Sequence, residues 1–357
     1  MSECPIPCNL CGACDIDELA GRDRDGRPLR TTICRRCGLV WTNPRPSEEE
    51  VRRYYSREYR LDYKGRATPS LRHSARSGRG ALNRYRALSL FLKKGDRVLD
   101  VGAGGGEVVY VLRRMGFDAT GLEPDEAYAS HARESLGVPV DTGFVQDLAF
   151  PEGSFNVITM YHALEHVEDP ARILMTLRTW LAEDGFLSIE VPSVEADCIL
   201  PAHRFHFAHL YNFNRETLEA IGRKAGFEPL QTTTSPDGGN LLTVFKRAAG
   251  PRPVAGLEGN FARVMASVQG HTAAAYFLSA APYAGAIGRL RAYLTDRAAA
   301  RGAQSAKDVL DALLDVAERP PSPRLRRASP TRCDGGRGVP GPRKRSDGSG
   351  AGGSRDS

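Results

Sequence analysis

The sequence predicts an α/β fold in which a doubly wound sheet ends in an antiparallel edge. One observation is the apolar strand Arg97–Val101, which leads into a glycine-rich turn at 102–106 and then into a helix that ends near Gly116. Another is a closing pair of strand segments near 229–233 and 241–245. Alternating strands and helices are typical of a parallel sheet covered on both faces, and a final consecutive strand pair adds an antiparallel edge.

Four further strands are predicted after the glycine-rich turn, at 119–123, 138–140, 155–160 and 185–191. These segments are short and apolar, as expected for strands that are buried on both faces. Helical segments separate them, and another helix is predicted over 214–226, before the closing strand pair.

Cysteines are concentrated in the first 37 residues, which hold six of the eight. Cys8 and Cys11 open one C-x-x-C-G motif, and Cys34 and Cys37 open a second. Two residues between thiolates let one tight turn present both sulfurs to a metal, so the motifs predict a structural Zn²⁺ site. Cys14 is an alternative partner for Cys11, and the participation of Cys4 stays open.

The glycine-rich turn indicates a cofactor of the nucleotide type. Gly102, Gly104 and Gly106 form G-x-G-x-G, whereas the dinucleotide fingerprint would require glycine at Glu107. A loop without side chains lets the backbone approach a ligand, and the following helix N-terminus favours a carboxylate. Glu123 ends the next strand, where a carboxylate can accept hydrogen bonds from two ribose hydroxyls.

The motifs around these residues resemble those of a known superfamily. VLDVGAGGGEVVYVL, GLEPD, DLAFPEGSFNVITMYHALEHVEDP and GFLSIEVPS resemble, in order, the motifs of class I S-adenosylmethionine-dependent methyltransferases over residues 97–245. The N-terminal stretch CNLCG…CRRCGLVWTNPRPSEEEVRRYYSREY is similar to the zinc-binding region of a subgroup that includes deoxysugar C-methyltransferases and natural-product enzymes. The resemblance implies a Rossmann-like fold and S-adenosylmethionine as cofactor.

The resemblance also assigns the cofactor pocket. It implies that the cofactor is bound by Asp100, Gly102, Gly104, Gly106, Glu123, Gln146 and Asp147, with Glu123 on the ribose and the last two near the adenine. Two positions depart from the family pattern. Phe144 stands where an acid is often found, so the adenine contact falls to Asp147 or to the backbone, and Asn156 replaces an aspartate that often opens the fourth strand.

Candidate proton acceptors follow the fifth strand. His203, His206 and His209 recur at intervals of three, beyond a strand carboxyl end where ligands bind in open α/β sheets. His209 matches a His-Leu-aromatic segment that recurs in the subgroup, and His166 lies in a segment that recurs in the superfamily. We predict that His209 takes a proton from the methyl acceptor, with His206 and His166 as further candidates. The alternatives are a second metal site and structural packing.

Five regions are predicted along the chain. They are a zinc-ribbon-like region at 1–46, a helical segment over the active site at 47–95, the methyltransferase domain at 96–248, a helical extension at 249–318 and a disordered basic tail at 319–357. The tail holds ten Lys or Arg and three Asp or Glu, so the formal net charge of +6 belongs to it. The Ala-rich stretch 272–288 is interrupted by Pro282 and is expected to be a buried helix, not a membrane span.

These observations predict methyl transfer to a small molecule, such as a sugar nucleotide, a glycan or a natural-product intermediate. An RNA methyltransferase with a zinc-ribbon RNA grip is one alternative, because residues 1–80 hold 16 basic and 11 acidic side chains. A module that binds cofactor or partners without turnover is the other. We expect no nucleic-acid partner and no membrane insertion, and the N-terminus lacks signal-peptide features, so a cytoplasmic location is expected.

Overall fold

The computed structural model describes residues 6–46, 48–53 and 68–318. Cys4, Ser47, part of the predicted helical cover at 54–67 and the predicted tail at 319–357 lie outside the described residues. The described residues up to 317 belong to one compact unit.

The described chain contains two sheets and a set of covering helices. The strands are β1 (Ile16–Arg22), β2 (Pro28–Cys34), β3 (Val40–Thr42), β4 (Arg97–Val101), β5 (Asp118–Glu123), β6 (Val140–Thr142), β7 (Phe155–Tyr161), β8 (Leu181–Pro192), β9 (Tyr211–Asn212), β10 (Phe227–Thr234) and β11 (Asn240–Arg247). The helices are α1 (Glu48–Arg53), α2 (Leu71–Leu88), α3 (Glu107–Arg114), α4 (Glu126–His131), α5 (Pro170–Trp180), α6 (Arg215–Lys224), α7 (Asn260–Gly270), α8 (Ala273–Leu278), α9 (Ala281–Ala299) and α10 (Ala306–Glu318).

The larger sheet has seven strands in the order β10-β11-β8-β7-β4-β5-β6. Strands β8, β7, β4, β5 and β6 are parallel, whereas β11 pairs antiparallel with both β8 and β10. The predicted α/β sheet with an antiparallel edge is therefore confirmed. Because β4, β5 and β7 are parallel, their carboxyl ends lie at one edge of the sheet. The strand order reverses at β4, and open α/β sheets bind ligands at such a point.

Side-chain caps begin the helices that lead away from this edge. The Asp169 side chain accepts a hydrogen bond from Arg172 N at the start of α5. Asn214 and Thr217 form a capping box at the start of α6. Each cap satisfies a backbone N–H that has no partner inside the helix, which fixes where the helix begins.

The smaller sheet has the order β1-β2-β3-β9 and crosses the predicted boundary at residue 46. The antiparallel β1–β2 hairpin between the two cysteine motifs agrees with the predicted ribbon. Strand β3 then pairs with β9, where Trp41 lies opposite Tyr211. Strand β9 follows the histidine segment directly, so the N-terminal sheet is hydrogen-bonded to the chain that carries His209.

The stretch 272–288 contradicts its prediction as a buried helix. The structure divides it into α8 and the start of α9, and Phe277, Leu278, Tyr283 and Ile287 are all exposed. Ser279 ends α8, and Pro282 lies in the first turn of α9, a position that proline favours. Within the described residues, no helix is long and apolar enough to cross a membrane.

Candidate active site

A cavity of about 710 Å³ opens at the carboxyl ends of β4, β5, β7 and β8. One part of its lining is the glycine-rich turn and Glu123, and another is the segment that carries His206 and His209. The cavity is continuous between these two parts. A cofactor and a second molecule can therefore be held side by side in it.

The glycine-rich turn needs its glycines for conformational reasons. Gly102, Gly104 and Gly106 have φ values of 78°, 56° and 84°, a region that disfavours residues with a Cβ. A Cβ at Gly106 would also lie 2.7 Å from the Cβ of Ala132. Gly102 and Gly104 line the cavity, whereas Gly106 caps α3 and permits close packing.

Glu123 ends β5 and is held against the glycine-rich turn. Its side chain is buried, with Oε2 accepting a 2.7 Å hydrogen bond from Gly104 N and Oε1 accepting from Asp125 N at 3.2 Å. Asp100 is also buried and accepts a hydrogen bond from Thr159 Oγ1 at 2.6 Å. Burial raises the pKa of Asp100 to about 7. Two carboxyl groups thus lie at the ends of adjacent strands, and that of Glu123 is rigidly oriented.

Of the two predicted adenine contacts, Gln146 and Asp147, one lines the cavity and the other does not. Phe144 and Gln146 line the cavity, but Asp147, an exposed residue next to them, is absent from the lining among the residues described. Asn156 has a separate structural role, because its Oδ1 accepts a hydrogen bond from Arg97 N at the start of β4. The replacement of aspartate by Asn156 is therefore compatible with an intact cofactor site.

Three predicted catalytic histidines are brought together, although His166 lies about 40 residues before the other two in the sequence. The ring centroids of His166 and His209 are 5.0 Å apart, and those of His206 and His209 are 5.5 Å apart. His166 Nδ1 lies 2.7 Å from the carbonyl oxygen of Ala208, and His206 Nδ1 lies 3.2 Å from Ala208 N. One backbone residue thus orients the rings on either side of His209.

The electrostatic environment keeps two of these rings neutral. Burial, and then the neighbouring His166, lowers the pKa of His209 to about 3. Burial, and then Arg24, lowers the pKa of His206 to about 4. A neutral imidazole has a nitrogen that can accept a proton, but a pKa this low also makes the ring a weak base, so proton transfer to it requires a neighbouring group that stabilises the imidazolium.

Glu165 places a carboxylate beneath these rings. Its side chain is 1% exposed, and neither oxygen accepts a hydrogen bond from any described residue. Its Oε1 lies 3.7 Å from His166 Nε2 and 3.6 Å from His162 Nδ1. Burial alone would raise the pKa of Glu165, but His166 and His162 lower it to about 2. Ligand atoms of Glu165, His166 and His209 lie within 4.8 Å of one another, so this group could also hold a cation.

His162 is a functional candidate to which the sequence analysis assigned no role. Among the residues that the structure describes, it is the one non-glycine residue with a positive φ, 53°. Its ring lies between Glu165 and Glu190, and Glu190 also accepts a 2.7 Å hydrogen bond from Arg84 Nε. Burial would lower the pKa of His162, but the two carboxylates raise it to about 9. Its position after β7 was the available signal, whereas its backbone conformation depends on tertiary contacts.

The four predicted cysteine ligands converge. The sulfurs of Cys8 and Cys37 are 3.4 Å apart, those of Cys11 and Cys34 are 3.5 Å apart, and all four lie within 4.8 Å of one another. Hydrogen bonds from the Cys37 and Cys8 thiols lower the pKa of Cys34. Cys14 is exposed and does not belong to this group. The spacing of the four sulfurs fits a tetrahedral Zn²⁺ site.

Each cysteine motif is closed by its glycine. Gly12 and Gly38 have φ values of 75° and 72°, and their N–H groups donate to the carbonyl oxygens of Cys8 and Cys34. A Cβ at Gly38 would lie 2.6 Å from Asn260 Nδ2, which donates to the carbonyl oxygen of Cys37. The cysteine motif is therefore packed against helix α7.

Residues 72–232 match the sequence profile of the methyltransferase-domain family. A ubiquinone biosynthesis O-methyltransferase of Actinobacillus pleuropneumoniae is 38% identical over 104 residues, which are 26% of this chain and 44% of that protein. An uncharacterised methyltransferase of Schizosaccharomyces pombe is 24% identical over 155 residues, 38% of this chain and 54% of that protein. The chain thus spans about half the length of the curated relatives it matches.

A solved S-adenosylmethionine-dependent methyltransferase from Mesorhizobium loti superposes with a TM-score of 0.40 and 18% identity, covering 46% of this chain and 97% of that one. The family match indicates a methyltransferase domain over residues 72–232, which are somewhat less than half of the chain.

Proposed function

We propose that the protein transfers the methyl group of S-adenosylmethionine to a small-molecule acceptor bound beside the histidines. The observation that carries this proposal is the continuity of one cavity from the glycine-rich turn to His209. Methyl transfer from a sulfonium is an in-line displacement, so the cofactor supplies the electrophile. The protein's contribution is to hold the acceptor in line with the methyl group and to remove its proton where the acceptor requires it.

The cofactor is assigned to the side of the cavity formed by β4 and β5. Glu123 would accept hydrogen bonds from the ribose hydroxyls, and its orientation by Gly104 N supports this role. The methionine carboxylate would lie near the N-terminus of α3, beside Gly102 and Gly104. Asp100 also lines this side of the cavity. Of the two predicted adenine contacts, Gln146 is better placed than Asp147, because Gln146 lines the cavity and Asp147 does not.

His209 is the member of the histidine group best suited to accept the acceptor's proton. In neutral His206 the proton must be on Nε2, since Nδ1 accepts from Ala208 N, so its remaining nitrogen can only donate. His166 Nδ1 donates to Ala208 O, and its Nε2 faces Glu165. The His209 ring has no hydrogen bond to the residues described, and the Glu165 carboxylate would stabilise the imidazolium formed there.

The acceptor class is proposed to be a sugar nucleotide, a glycan or a natural-product intermediate. The similarity of the cysteine region to that of deoxysugar and natural-product methyltransferases supports it, and the Actinobacillus relative is named for ubiquinone biosynthesis. The RNA-methyltransferase alternative needs a ribbon surface that is available to a polyanion. Here the ribbon packs against the segment that lines the cavity, because β3 pairs with β9 and the hairpin turn contacts Phe205. That part of its surface is therefore not available to RNA.

The cysteine group is proposed to hold one structural Zn²⁺ through Cys8, Cys11, Cys34 and Cys37. Bound there, Zn²⁺ would supply a cross-link between the two motifs and no catalytic position, since all four positions are taken by sulfur. Lys224 Nζ donates to the carbonyl oxygen of Leu10 at 2.9 Å, and Thr42 N donates to that of Leu210 at 2.9 Å. These contacts tie the cysteine region to α6 and to the histidine segment.

The proposed function is tested by two measurements on the full chain. Calorimetry should show saturable S-adenosylmethionine binding, and methyl-labelled cofactor should transfer label to a member of an acceptor panel of sugar nucleotides, glycans and phenols. Tight binding of a nicotinamide dinucleotide in place of S-adenosylmethionine would contradict the cofactor assignment. Cofactor binding with transfer to RNA alone would favour the RNA alternative, and binding with no transfer to any acceptor would favour a non-catalytic module.

A further inference from the structure

Arg204 is a buried cation on the acceptor side of the cavity. Its side chain lines the cavity, and the residue is 6% exposed. The guanidinium contacts the carbonyl oxygen of Val194 and Nδ1 of His271, and both of these groups are uncharged acceptors. Among the described residues, none provides a carboxylate within salt-bridge distance of Arg204. Asp197 acts on it from farther away and is itself exposed.

A buried guanidinium without a close counter-ion is unusual in a folded protein. Removing the charge from water is unfavourable, and two neutral hydrogen-bond acceptors do not compensate for it. Burial accordingly lowers the pKa of Arg204. A buried guanidinium of this kind is expected in a preformed site where a bound ligand supplies the counter-ion.

Arg24 brings a second guanidinium to the same cavity from the N-terminal sheet. It lies in the turn between β1 and β2, and its backbone N–H donates to the carbonyl oxygen of Phe205 at 2.8 Å. Asp23 fixes this turn, because its Oδ1 accepts from the N–H groups of Asp25 and Arg27 at 3.0 and 2.8 Å. The turn is therefore positioned on the chain next to Arg204, and the Arg24 side chain lines the cavity.

We infer that Arg24 and Arg204 bind an oxyanion of the methyl acceptor, a phosphate or a carboxylate. This inference rests on the proposed function and narrows its substrate class to an anionic small molecule. The two arginines share the histidine side of the cavity, and Arg24 is a charge that acts on His206. Under the proposed function, the cofactor's own carboxylate would lie at the turn before α3, on the other side of the cavity. Arginine forks bind phosphate and carboxylate in a bidentate manner, which would orient the acceptor as well as attract it.

The test is calorimetric titration of anions into the full-length protein. The protein is first saturated with S-adenosylhomocysteine, so that the cofactor site is already occupied. Pyrophosphate and succinate are titrated separately, which distinguishes a phosphate site from a carboxylate site. We expect saturable binding of one of them, weakened at least tenfold in Arg24→Gln and in Arg204→Met. Arg27→Gln is the matched control, because Arg27 lies in the same turn, is exposed and does not line the cavity. It should bind the anion as the wild type does.

Arg24→Gln removes a partly exposed side chain, so its result decides the question even if Arg204→Met is unstable. Unchanged anion affinity in Arg24→Gln and in a folded Arg204→Met protein would overturn the inference. So would the absence of saturable binding of both anions to the wild type. The proposed function fails by a different readout, the absence of cofactor binding or of label transfer, and the anion titration still reports on the two arginines.

Discussion

The two halves of the cavity are built in different ways. The cofactor half comes largely from one stretch of chain, from β4 to the residues after β6, and its polar groups include backbone amides, Asp100, Glu123 and Gln146. The acceptor half is assembled from three distant segments, the β1–β2 turn, the residues after β7 and the histidine segment before β9. A site made by one stretch can be inferred from a local motif. A site made by several segments becomes apparent only once the fold has brought them together.

The halves also differ in charge. In the cofactor half the orientation of Glu123 is fixed by hydrogen bonds from neighbouring N–H groups. The acceptor half instead contains a buried carboxylate, Glu165, without hydrogen bonds from the described residues, and a buried Arg204 without a close counter-ion. Against the effect of burial, His166 and His162 lower the pKa of Glu165, so Arg204 is the less compensated of the two groups, and a buried charge of this kind reduces stability unless a ligand pairs with it.

The largest effect is expected in the acceptor half, from His209→Ala. If His209 accepts the acceptor's proton, its loss should reduce turnover by about 10²–10⁴. Cofactor affinity and melting temperature should stay near the wild-type values, since the ring lies apart from the glycine-rich turn. Steady-state kinetics, calorimetry and thermal melting check the three expectations.

His131→Ala is the control for that variant, because His131 is a histidine of α4 that does not line the cavity. Parallel loss of stability and activity in His209→Ala would indicate a structural histidine. Bound metal beyond one ion per chain, lost in both His166→Ala and His209→Ala, would instead show that the group with Glu165 is a cation site.

The cysteine region supports the acceptor half through β3 and β9, so metal loss should affect that half first. A Cys34→Ser/Cys37→Ser protein should contain no Zn²⁺, compared with one ion per chain in the wild type, and should have a lower melting temperature. Elemental analysis measures the metal content. Cys14→Ser should retain the metal, and loss of Zn²⁺ in that variant would revise the ligand set.

The cofactor half is tested by Glu123→Ala. Loss of charge-assisted hydrogen bonds to the ribose should weaken S-adenosylmethionine binding by about 1.5–3 kcal/mol, roughly tenfold or more. Glu126→Ala removes an exposed carboxylate three residues away and should bind the cofactor normally. Normal cofactor affinity in Glu123→Ala, measured by calorimetry, would rule out the assigned ribose contact.

The smallest effect concerns pH. Because the pKa of His209 is lowered to about 3, the ring stays neutral well below the ordinary histidine range. At saturating cofactor, where titration of Asp100 near pH 7 has least effect, kcat/KM for the acceptor should change less than about twofold between pH 7 and pH 5. The groups facing His209 are Glu165, His162, His166 and His206. An acid limb near pH 6.5 in the pH–rate profile would contradict this environment.

The same shift predicts a dependence of stability on pH. The unfolded chain takes up a proton at this histidine near pH 6.5, whereas the folded protein does so only near pH 3. The contribution of His209 to the free energy of unfolding is therefore fully present above pH 6.5 and decreases as the pH falls toward 3. Because the two proteins should be about equally stable at neutral pH, denaturant titrations should show the wild type losing stability relative to His209→Ala as the pH falls below 6.5.

Local signals predicted much of the fold and the cofactor half. The strand before Gly102, the G-x-G-x-G turn and the two C-x-x-C-G motifs each specify their own backbone conformation, and the structure has positive φ values at their turn glycines. At the start of α10, Ser305 and Asp308 likewise make the reciprocal capping hydrogen bonds that residue types at this spacing favour.

The remaining features depend on contacts between distant segments. The pairing of β3 with β9 joins residues about 170 positions apart, and no local pattern specifies it. The positive φ of His162 is held by tertiary contacts that include a backbone hydrogen bond to Glu190 O. The exposure of Phe277 was missed because apolar composition alone does not indicate whether a helix has a partner.

The most direct test is to measure cofactor affinity and methyl-transfer turnover on the same preparations of Glu123→Ala and His209→Ala, with the acceptor identified by the labelled-methyl screen. The account predicts that Glu123→Ala loses tenfold or more in affinity but recovers turnover at saturating cofactor. His209→Ala should bind the cofactor as the wild type does and lose turnover by about 10²–10⁴. If both variants lose affinity and turnover together, the cavity does not divide into separate cofactor and acceptor halves, and the account is wrong.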